Sequence, residues 1–329
     1  MKRISVIVPE SAVIEAITPP YRLFKTANEF LKATGKQPLF EVEYVGVKDE
    51  IYANDGEYCV KVQRHVDTVD KTDVVIIPAL YGDMRRAVEL NRPLIPWIQK
   101  MYSQGAEVAS MCIGAFLLGS TGLVDGKKCS THWAYYAEFS EMYPEVEVVE
   151  GEIITDIGSI YSSGGANSIW NLLLYLLEKY ADRDTAILAS KYFAIDIDRE
   201  SQSAFTIFTG QKDHHDPEIK RAQEYIEENF KERFTVDELA DRFAISRRSF
   251  ERRFKKATNN TVVEYLQRVR MEAAKRSFEM SRKNVAEVMF DVGYTDTKAF
   301  RTVFKKITGL TPVEYRNKYY KETVMEPVE

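Results

Sequence analysis

The sequence predicts two fold classes in one chain: an α/β N-terminal domain with a flavodoxin-like, doubly wound, mostly parallel sheet, and an all-α C-terminal domain with two helix-turn-helix motifs. Three observations predict this architecture. Apolar runs alternate with helical patterns over residues 1–200, a repeat with an offset of 50 residues occupies the last third of the chain, and the net charge changes sign between the two parts. At roughly 100 to 200 residues per domain, 329 residues are enough for two hydrophobic cores.

The elements of the first domain follow from its apolar runs and helical periodicity. Parallel strands joined by helices place helices on both faces of a sheet, and ligands bind at the carboxyl ends of such strands. Cys112 directly follows one predicted strand and is therefore a candidate site residue. Strands are predicted at 4–8, 40–47, 74–77 and 107–111, and helices near 21–33, 95–104, 113–120, 133–142 and 167–180.

Composition limits the compartment and the chemistry. Three cysteines are too few for a disulfide framework and lack metal-ligand spacing, so we expect a cytoplasmic protein without a metal or another cofactor. The apolar run before Pro9 is too short for a signal-peptide core, and the longer charge-free stretches contain polar residues, so we expect no membrane span. The predicted boundaries are an α/β domain at 1–200, a linker at 201–217, a helical domain at 218–320 and a tail at 321–329.

The charge is distributed unevenly along the chain. The total is −5, but residues 1–216 carry 21 basic and 31 acidic side chains, net −10, whereas residues 217–329 carry 24 and 19, net +5. Residues 242–306 alone hold 17 basic and 7 acidic side chains, net +10. Positive charge concentrated in this way is typical of a phosphate-binding surface, although a basic run by itself fits a solvated helical surface equally well.

The C-terminal domain contains an internal repeat. Residues 250–265 and 300–315 are identical at 9 of 16 positions, where ordinary residue usage gives about one. Each copy has the pattern of a short amphipathic helix, a tight turn and a second helix, which is the plan of a helix-turn-helix. The turns are predicted at 243–245 and 292–294, with Ser246 as the first N-cap and Thr295 or Asp296 as the second.

Helical geometry assigns the faces of the two second helices. Phe250 and Phe254, and likewise Phe300 and Phe304, fall on one stripe and are predicted to pack inward. The opposite faces are mostly basic and fit the major groove, where Arg or Lys binds guanine and Glu accepts from cytosine. Residues 262–280 lack Gly and Pro and are predicted to form one helix that sets the spacing of the two motifs. The candidate DNA-binding residues are Arg248, Glu251, Arg252, Lys255, Lys298, Arg301, Thr302 and Lys305.

Several segments of this domain resemble the AraC/XylS family of bacterial transcriptional regulators. The resemblance covers about residues 217–320 and implies that the second helices enter successive major-groove faces of one DNA site. Thr302 departs from the family, which usually carries Arg there, so we expect the second copy mainly to hold phosphates. The matching segments are Val236-Asp237-Glu238-Leu239-Ala240, Ser246-Arg247-Arg248-Ser249-Phe250-Glu251-Arg252-Arg253-Phe254-Lys255, Val292-Gly293-Tyr294 and Gly309-Leu310-Thr311-Pro312-Val313-Glu314-Tyr315-Arg316.

Cys112 lies in a segment with the pattern of strand, sharp turn and helix. A cysteine at the positive end of a helix dipole has a lowered pKa and is more often a thiolate. The alternative is a small buried core residue, because free cysteine is commonly buried. Spacing alone leaves both interpretations open.

The surroundings of Cys112 resemble the class I glutamine amidotransferase-like superfamily, in the branch of protein deglycases and PfpI-type peptidases. Thr131-His132-Trp133 follows the cysteine at the spacing of that branch, and Ser163-Gly164-Gly165-Ala166 matches a further motif. The resemblance covers nearly all of residues 1–195. It implies that Glu15 shares a proton with Cys112 and that His132 orients or deprotonates the thiol.

Two departures weaken an enzymatic interpretation. Residues 79–82 lack the paired glycines that supply oxyanion donors in the catalytic relatives, and Ile113 stands where peptidase-like members carry His. We therefore expect a regulator and not an enzyme. The alternatives are a cysteine-dependent hydrolase or lyase, and a redox-sensing regulator that acts through Cys112.

The order of the two domains resembles a subgroup of regulators in which an amidotransferase-like sensor precedes an AraC-type DNA-binding domain. The resemblance implies that a pocket around Glu15, Cys112 and His132 binds a small metabolite and that its occupancy changes DNA binding. The expected function is a sequence-specific, ligand-responsive transcriptional regulator. Its expected partners are double-stranded DNA, a small-molecule effector, a second copy of the chain as a homodimer and, as a further candidate, RNA polymerase.

Overall fold

The computed structural model describes residues 1–196, 202–203, 207–208, 210–212 and 214–319. The chain folds into two compact units, Met1–Gln202 and Ser203–Glu329. The first unit is an α/β fold and the second is helical, which confirms the predicted fold class. The predicted tail and part of the predicted linker lie outside the described residues, and the four domain boundaries stay predictions.

A seven-stranded sheet forms the centre of the first unit in the described part of the chain. Its strands and those of two small two-stranded sheets are β1 (Lys2–Ile7), β2 (Phe40–Gly46), β3 (Glu50–Ala53), β4 (Tyr58–Lys61), β5 (Arg64–His65), β6 (Val74–Ile77), β7 (Glu107–Met111), β8 (Lys128–Cys129), β9 (Glu147–Val148), β10 (Ile154–Asp156) and β11 (Ile160–Ser163). The order in the large sheet is β10-β11-β7-β6-β1-β2-β5, and β10 alone among these strands runs antiparallel to its neighbour.

The central strands are apolar on both faces because helices cover the sheet from both sides. Ile4, Ile76 and Val108 have no exposed surface. The four predicted strands correspond to β1, β2, β6 and β7: the bounds of β6 and β7 agree fully, and those of β1 and β2 differ by at most two residues. The parallel centre brings the carboxyl ends of β1, β6 and β7 to the same edge of the sheet.

The predicted helices of the first unit are found near their predicted positions, but some begin or end at other residues. The first begins at Ile14 and not near Tyr21, so it includes Pro19 and Pro20, which are both buried. The predicted helix at 113–120 is a short 3-10 turn, Cys112–Gly114, followed by a five-residue helix. The helices are α1 (Ile14–Ala33), α2 (Met84–Leu90), α3 (Leu94–Ser103), α4 (Ala115–Gly119), α5 (Tyr136–Met142), α6 (Ile169–Tyr180) and α7 (Arg183–Phe193).

The second unit contains two helix-turn-helix motifs joined by one long helix. The connecting helix has the bounds predicted from the sequence, and each motif has its own hydrophobic core. Phe250 and Phe254 lie in the first core and Phe300 and Phe304 in the second, all without exposed surface. The helices are α8 (Pro217–Glu228), α9 (Val236–Arg242), α10 (Arg247–Thr258), α11 (Val262–Met280), α12 (Val285–Asp291), α13 (Thr297–Thr308) and α14 (Pro312–Tyr319).

The repeat extends from sequence to tertiary structure. In the first copy Tyr265 donates a hydrogen bond to Glu227, at 2.6 Å, and in the second Tyr315 donates one to Glu279. Glu227 belongs to α8 and Glu279 to α11, so each motif packs against a preceding helix in the same way. The long helix α11 therefore completes the first motif at its start and supports the second motif at its end.

The chain before α8 packs along the first motif. The ring of Phe208 meets that of Tyr265 edge to face, with 5.1 Å between centroids. Asp216 caps α8 and also accepts two hydrogen bonds from Arg253 of α10, at 2.6 and 2.8 Å, which lowers the pKa of its carboxyl group. This end of the predicted linker is thus bound to the flank of α10.

The tight turns of the two motifs have different residues at the position with a positive φ, and this difference affects the stability of each turn. Ala244 has φ +52° in the first turn, and Gly293 has φ +83° in the second. A Cβ on Gly293 would lie 2.6 Å from the carbonyl oxygen of Lys231, which is closer than Cβ atoms approach other atoms in proteins. Glycine is therefore required in the second turn, whereas alanine in the first turn carries only the strain of the left-handed conformation.

We expect opposite outcomes from exchanging these residues. Gly293→Ala should lower the local unfolding free energy of α12 and α13 by about 2 to 4 kcal/mol, from the left-handed strain and the clash. Ala244→Gly should leave that of α9 and α10 unchanged or raise it by up to about 1 kcal/mol. Native-state hydrogen exchange of the full chain measures both values. Equal losses in the two variants would contradict the contact with Lys231.

Candidate nucleic-acid interface and ligand site

The second helices of the two motifs, α10 and α13, present similar exposed faces. Their aromatic residues are buried in the two cores, so the opposite sides face outward. The structure thus places all the predicted DNA-binding residues on accessible helix surfaces. The predicted residues that are exposed are Arg248, Glu251, Arg252 and Lys255 on α10, and Lys298, Arg301, Thr302 and Lys305 on α13.

Carboxylates lie beside the basic face of α10. Arg247 forms ion pairs with Asp237, at 2.8 Å, and with Glu251, at 3.4 Å. Among the described residues, Arg248 and Arg252 form no ion pair. Their guanidinium groups can therefore contact a DNA base or phosphate without first breaking an ion pair. The ion pair of Arg247 with Glu251 was not predicted, although opposite charges four residues apart on one helix were the signal in the sequence.

The face of α13 has a different composition. It carries no carboxylate between Thr297 and Thr308, and Thr302 is uncharged. Lys305 lies near Glu314, whose pKa is lowered by hydrogen bonds from Thr311 and also by this lysine. The face is thus a positive surface without an acidic group that could accept from cytosine.

The N-caps of the two helices also differ. Ser246 occupies the N-cap position of α10, but its side chain makes no capping hydrogen bond. Asp296 is the cap of α13, and its carboxylate accepts from the amide of Ala299 at 2.6 Å. Thr295, the other predicted candidate, instead accepts a hydrogen bond from Arg233 at 2.8 Å.

In the first unit, Cys112 lies in the predicted sharp turn after β7. Its φ is +54°, an unusual value for a residue other than glycine. The turn fits because Gly114 packs directly against the backbone, where a Cβ would clash with the carbonyl oxygen of Pro78. The side chain at position 114 is therefore restricted to hydrogen, and the strained turn holds Cys112 at the carboxyl edge of the sheet.

The surroundings of Cys112 disfavour the thiolate form of its side chain. The residue is 5% exposed, and burial raises the pKa of its thiol to about 12. Of the two interpretations that the sequence left open, the buried cysteine agrees with this raised pKa, because the following helix α4 is short and desolvation of the thiolate outweighs its field. The backbone of Cys112 is held by two hydroxyl groups: its amide donates to Ser163, at 3.4 Å, and its carbonyl accepts from Thr131, at 3.2 Å.

His132 lies next to the residue that contacts Cys112. Its Nδ1 accepts a hydrogen bond from the amide of Ala134, at 3.2 Å, and burial lowers the pKa of the ring. The ring lies against two aromatic side chains, with centroid distances of 5.3 Å to Trp133 and 6.1 Å to Tyr135. Its surroundings therefore favour the neutral form of the imidazole.

Glu15 lies at the start of α1 and is exposed. Its carboxylate accepts from the side chain of Asn54 at 3.2 Å, and the Asn54 side-chain oxygen accepts from the amide of Ile14. Within the described ranges, no hydrogen bond joins Glu15 to Cys112. The shared proton implied by the resemblance has no counterpart in this geometry.

Gln202 is a buried residue of this region that was not predicted from the sequence. Its side-chain amide donates to the carbonyl oxygens of Thr131 and Glu152, each at 3.1 Å, and to the hydroxyl of Tyr136 at 2.8 Å. It fits directly beside Gly164, where a Cβ would clash with its amide nitrogen. The glycine pair at 164 and 165 was the signal in the sequence, since such glycines often mark close approach by another group.

Comparison with known families supports both halves of the chain. The helix-turn-helix domain family matches residues 239–318, and the DJ-1/PfpI family matches residues 2–179, which is more than half of the chain. The chain belongs to the DJ-1/PfpI family. Two solved structures share this fold: an AraC family transcriptional regulator from Pseudomonas putida (TM-score 0.50, 19% identity, 59% of this chain and 100% of that one) and a THiJ/PfpI family protein from Pseudomonas syringae (TM-score 0.51, 14% identity, 74% and 90%).

Curated relatives extend the similarity over both domains. The HTH-type transcriptional regulator ArgR of Pseudomonas aeruginosa is 26% identical over 237 residues, which is 70% of this chain and 72% of the relative. The regulator GbdR of the same species is 25% identical over 268 residues, covering 81% and 72%. A shorter stretch of 93 residues, 28% of this chain, is 41% identical to the bifunctional transcriptional activator/DNA repair enzyme AdaA of Bacillus subtilis, of which it covers 44%. The protein is thus an AraC-type, DNA-binding transcriptional regulator with a DJ-1/PfpI-like N-terminal domain.

In the part of this regulator that the structure describes, every helix is too short or too polar to cross a membrane.

Proposed function

We propose that this regulator recognises a specific DNA site through α10 and α13 and that a small metabolite bound in the DJ-1/PfpI-like domain controls this binding. The observation that carries the proposal is the repeated exposure of two basic helix faces on a helix-turn-helix scaffold. Helices of this kind enter the major groove, and two of them joined by one helix reach neighbouring segments of one site. The cellular location that follows is the cytoplasm, and the expected assembly is a homodimer.

Under this proposal α10 and α13 have different roles in DNA binding. Arg248, Glu251 and Arg252 read base edges, because Arg can bond guanine with two donors and Glu can accept from cytosine. Lys298, Arg301 and Lys305 mainly hold phosphates and fix the register, because α13 has no acidic group on its face and carries Thr302 at its centre. Lys255 joins the phosphate contacts from the end of α10.

Selection from a pool of random DNA tests the proposal. The full-length regulator is expected to enrich one bipartite site and to bind it at least about a thousandfold more tightly than unrelated DNA at physiological salt. Affinity should fall steeply as salt increases, because counterions are released from the phosphates. Enrichment of no common sequence at any salt concentration would refute site-specific recognition.

The effector site is proposed at the carboxyl edge of the sheet, near Cys112, His132 and Glu15. The half-buried His132 ring, the aromatic groups beside it and the exposed carboxylate of Glu15 offer contacts to a small polar molecule. An effector acts only if it binds one conformation of the regulator more tightly than another. Metabolites released from the purified regulator by denaturation can be identified by mass spectrometry. A molecule retained by wild type and lost in His132→Ala would support this site, and equal retention in both would place it elsewhere.

We propose that Cys112 has no catalytic turnover. Its burial and the raised pKa of its thiol disfavour a nucleophilic thiolate. The loop after β6 is also engaged in backbone pairing: Ala12 bridges Leu80, and the amide of Val13 donates to Ala79. A hydrolase or lyase would instead turn over carbonyl or amide compounds and lose that activity in Cys112→Ala. A redox switch would change its DNA affinity after peroxide treatment, and this change would be absent in Cys112→Ser.

Alkylation rates offer a direct prediction for the three cysteines. At pH 7 iodoacetamide is expected to modify the exposed Cys59 first, and Cys112 and Cys129 at least about a hundredfold more slowly. Burial raises the pKa of these two thiols to about 12 and about 11, so their thiolate fraction grows about tenfold for each pH unit towards those values. Peptide mapping by mass spectrometry measures the rates. Labelling of Cys112 as fast as that of Cys59 would show an activated thiol.

A further inference from the structure

A short segment of the first half of the DNA-binding unit contacts the turn of the second motif. Residues 230–233 connect α8 to α9, yet the carbonyl oxygen of Lys231 lies only 2.6 Å from the position that a Cβ of Gly293 would occupy. Arg233 donates to the hydroxyl of Thr295 at 2.8 Å. The ring of Phe230 packs against the core of the second motif. The two motifs are therefore joined by a second connection besides α11.

Arg270 of α11 holds this connection in place. Its Nε donates to the carbonyl oxygen of Phe230 at 2.7 Å, and its Nη2 donates to that of Glu232 at 2.8 Å. The guanidinium carbon lies 5.5 Å from the ring centroid of Tyr294, in the turn of the second motif. Arg270 is partly buried, and this burial lowers its pKa. Hydrogen bonds from a charged donor are stronger in such surroundings than in water.

A single connecting helix fixes the distance between the two motifs better than it fixes the rotation of one motif relative to the other. At 1.5 Å per residue, α11 is about 28 Å long, and each motif packs mainly against one of its ends. A small rotation of either motif about its end would displace the reading helix by several ångströms. The connection through Arg270, residues 230–233 and the turn at Gly293 opposes such a rotation, because it ties both motifs to the middle of α11.

We propose that Arg270 is a positioning residue that fixes the helical phase between α10 and α13, so that the regulator discriminates among DNA sites by the spacing between their two halves. This inference rests on the proposed recognition of DNA by these two helices. The planar guanidinium suits the role because two of its donors reach two carbonyl oxygens at once, which a lysine ammonium cannot match in geometry. Each added base pair moves a half-site by about 3.4 Å and rotates it by about 35°, so a rigid pair of motifs tolerates little change.

The test measures spacing tolerance in the full-length regulator. The site selected by wild type is prepared with its natural spacing and with one or two base pairs inserted or removed between the halves. Wild type is expected to lose about tenfold or more in affinity for each changed spacing. Arg270→Ala should bind the five sites within about threefold of one another, and Arg270→Lys should lie between these limits. Arg276→Ala, an exposed change on the same helix, should keep the wild-type profile.

The possible outcomes separate the explanations. A wild-type spacing profile in folded Arg270→Ala would overturn the inference while leaving recognition by α10 and α13 intact. Equal loss of affinity for all spacings and for a single half-site would show a merely structural role and also overturn it. If Arg270→Ala does not fold, the spacing profiles of Thr295→Val and Arg270→Lys are measured instead, since each variant removes only part of the connection. A relaxed spacing preference in these variants supports the inference, and an unchanged profile refutes it. A wild-type protein without site preference would refute the proposed function itself.

Discussion

Replacing Arg252 with alanine is expected to reduce the affinity of the regulator for its selected DNA site by about fivefold to more than a hundredfold, equivalent to about 1 to 3 kcal/mol. Arg252 lies at the centre of the exposed face of α10 and, among the described residues, forms no ion pair that would hold it away from DNA. The loss should be confined to one or two base pairs, at which the variant accepts other bases. Titration of labelled DNA carrying each base at each position measures this effect.

Lys305→Ala provides the matched comparison on α13. Its loss should weaken binding to all sequences by a similar factor and reduce the slope of log affinity against log salt by about 1, because one phosphate contact is removed. Base preference should not change. If Lys305→Ala altered base preference and Arg252→Ala did not, the division of work between the two helices would be the reverse of the one proposed.

The second large effect concerns stability. Phe304 has no exposed surface and packs with Phe278, Phe300 and Tyr315 in the core of the second motif. Truncating such a ring to alanine is expected to cost about 3 to 5 kcal/mol, from lost burial and the cavity that remains. Since the cores of the two motifs are separate clusters, amide exchange should accelerate in α12, α13 and α14 and much less in α8, α9 and α10.

Phe254→Ala is the equivalent change in the first core. It should accelerate exchange in α8, α9 and α10 by a similar amount while the second motif stays protected. Hydrogen exchange with mass spectrometry compares both variants with wild type under the same conditions. Uniform acceleration over the whole DNA-binding unit in either variant would show that the two cores unfold together and that the repeat is not energetically modular.

Periodicity explains which parts of the fold were predictable. The central strands were found because a parallel sheet buried on both faces produces continuous apolar runs, and α11 was found because nineteen residues without Gly or Pro have one regular pattern. The start of α1 was missed because Pro19 and Pro20 normally argue against a helix interior, yet here both are buried. The hairpin of β3 and β4 was missed because its four-residue strands include charged and exposed residues, whereas β6, of the same length, is a continuous apolar run.

The candidate DNA-binding residues were predictable from the sequence, whereas the surroundings of Cys112 and the contacts of Arg270 were not. The exposed faces of α10 and α13 follow from helical geometry, so their residues are predictable from the sequence alone. The state of Cys112 is not, because burial depends on contacts from residues distant in sequence, such as Thr131 and Ser163. The connection through Arg270 was also invisible in the sequence, since its partners are backbone carbonyl groups that carry no residue-type signal.

The contrast between the faces of α10 and α13 has a consequence for how such a regulator diverges after gene duplication. Under the proposed roles, substitutions at Arg248, Glu251 or Arg252 redirect the protein to a different set of promoters, while its affinity for the DNA backbone is preserved. Substitutions on α13 instead change the strength of control at every promoter together. The choice of DNA site and the overall DNA affinity can therefore evolve separately, the first through α10 and the second through α13.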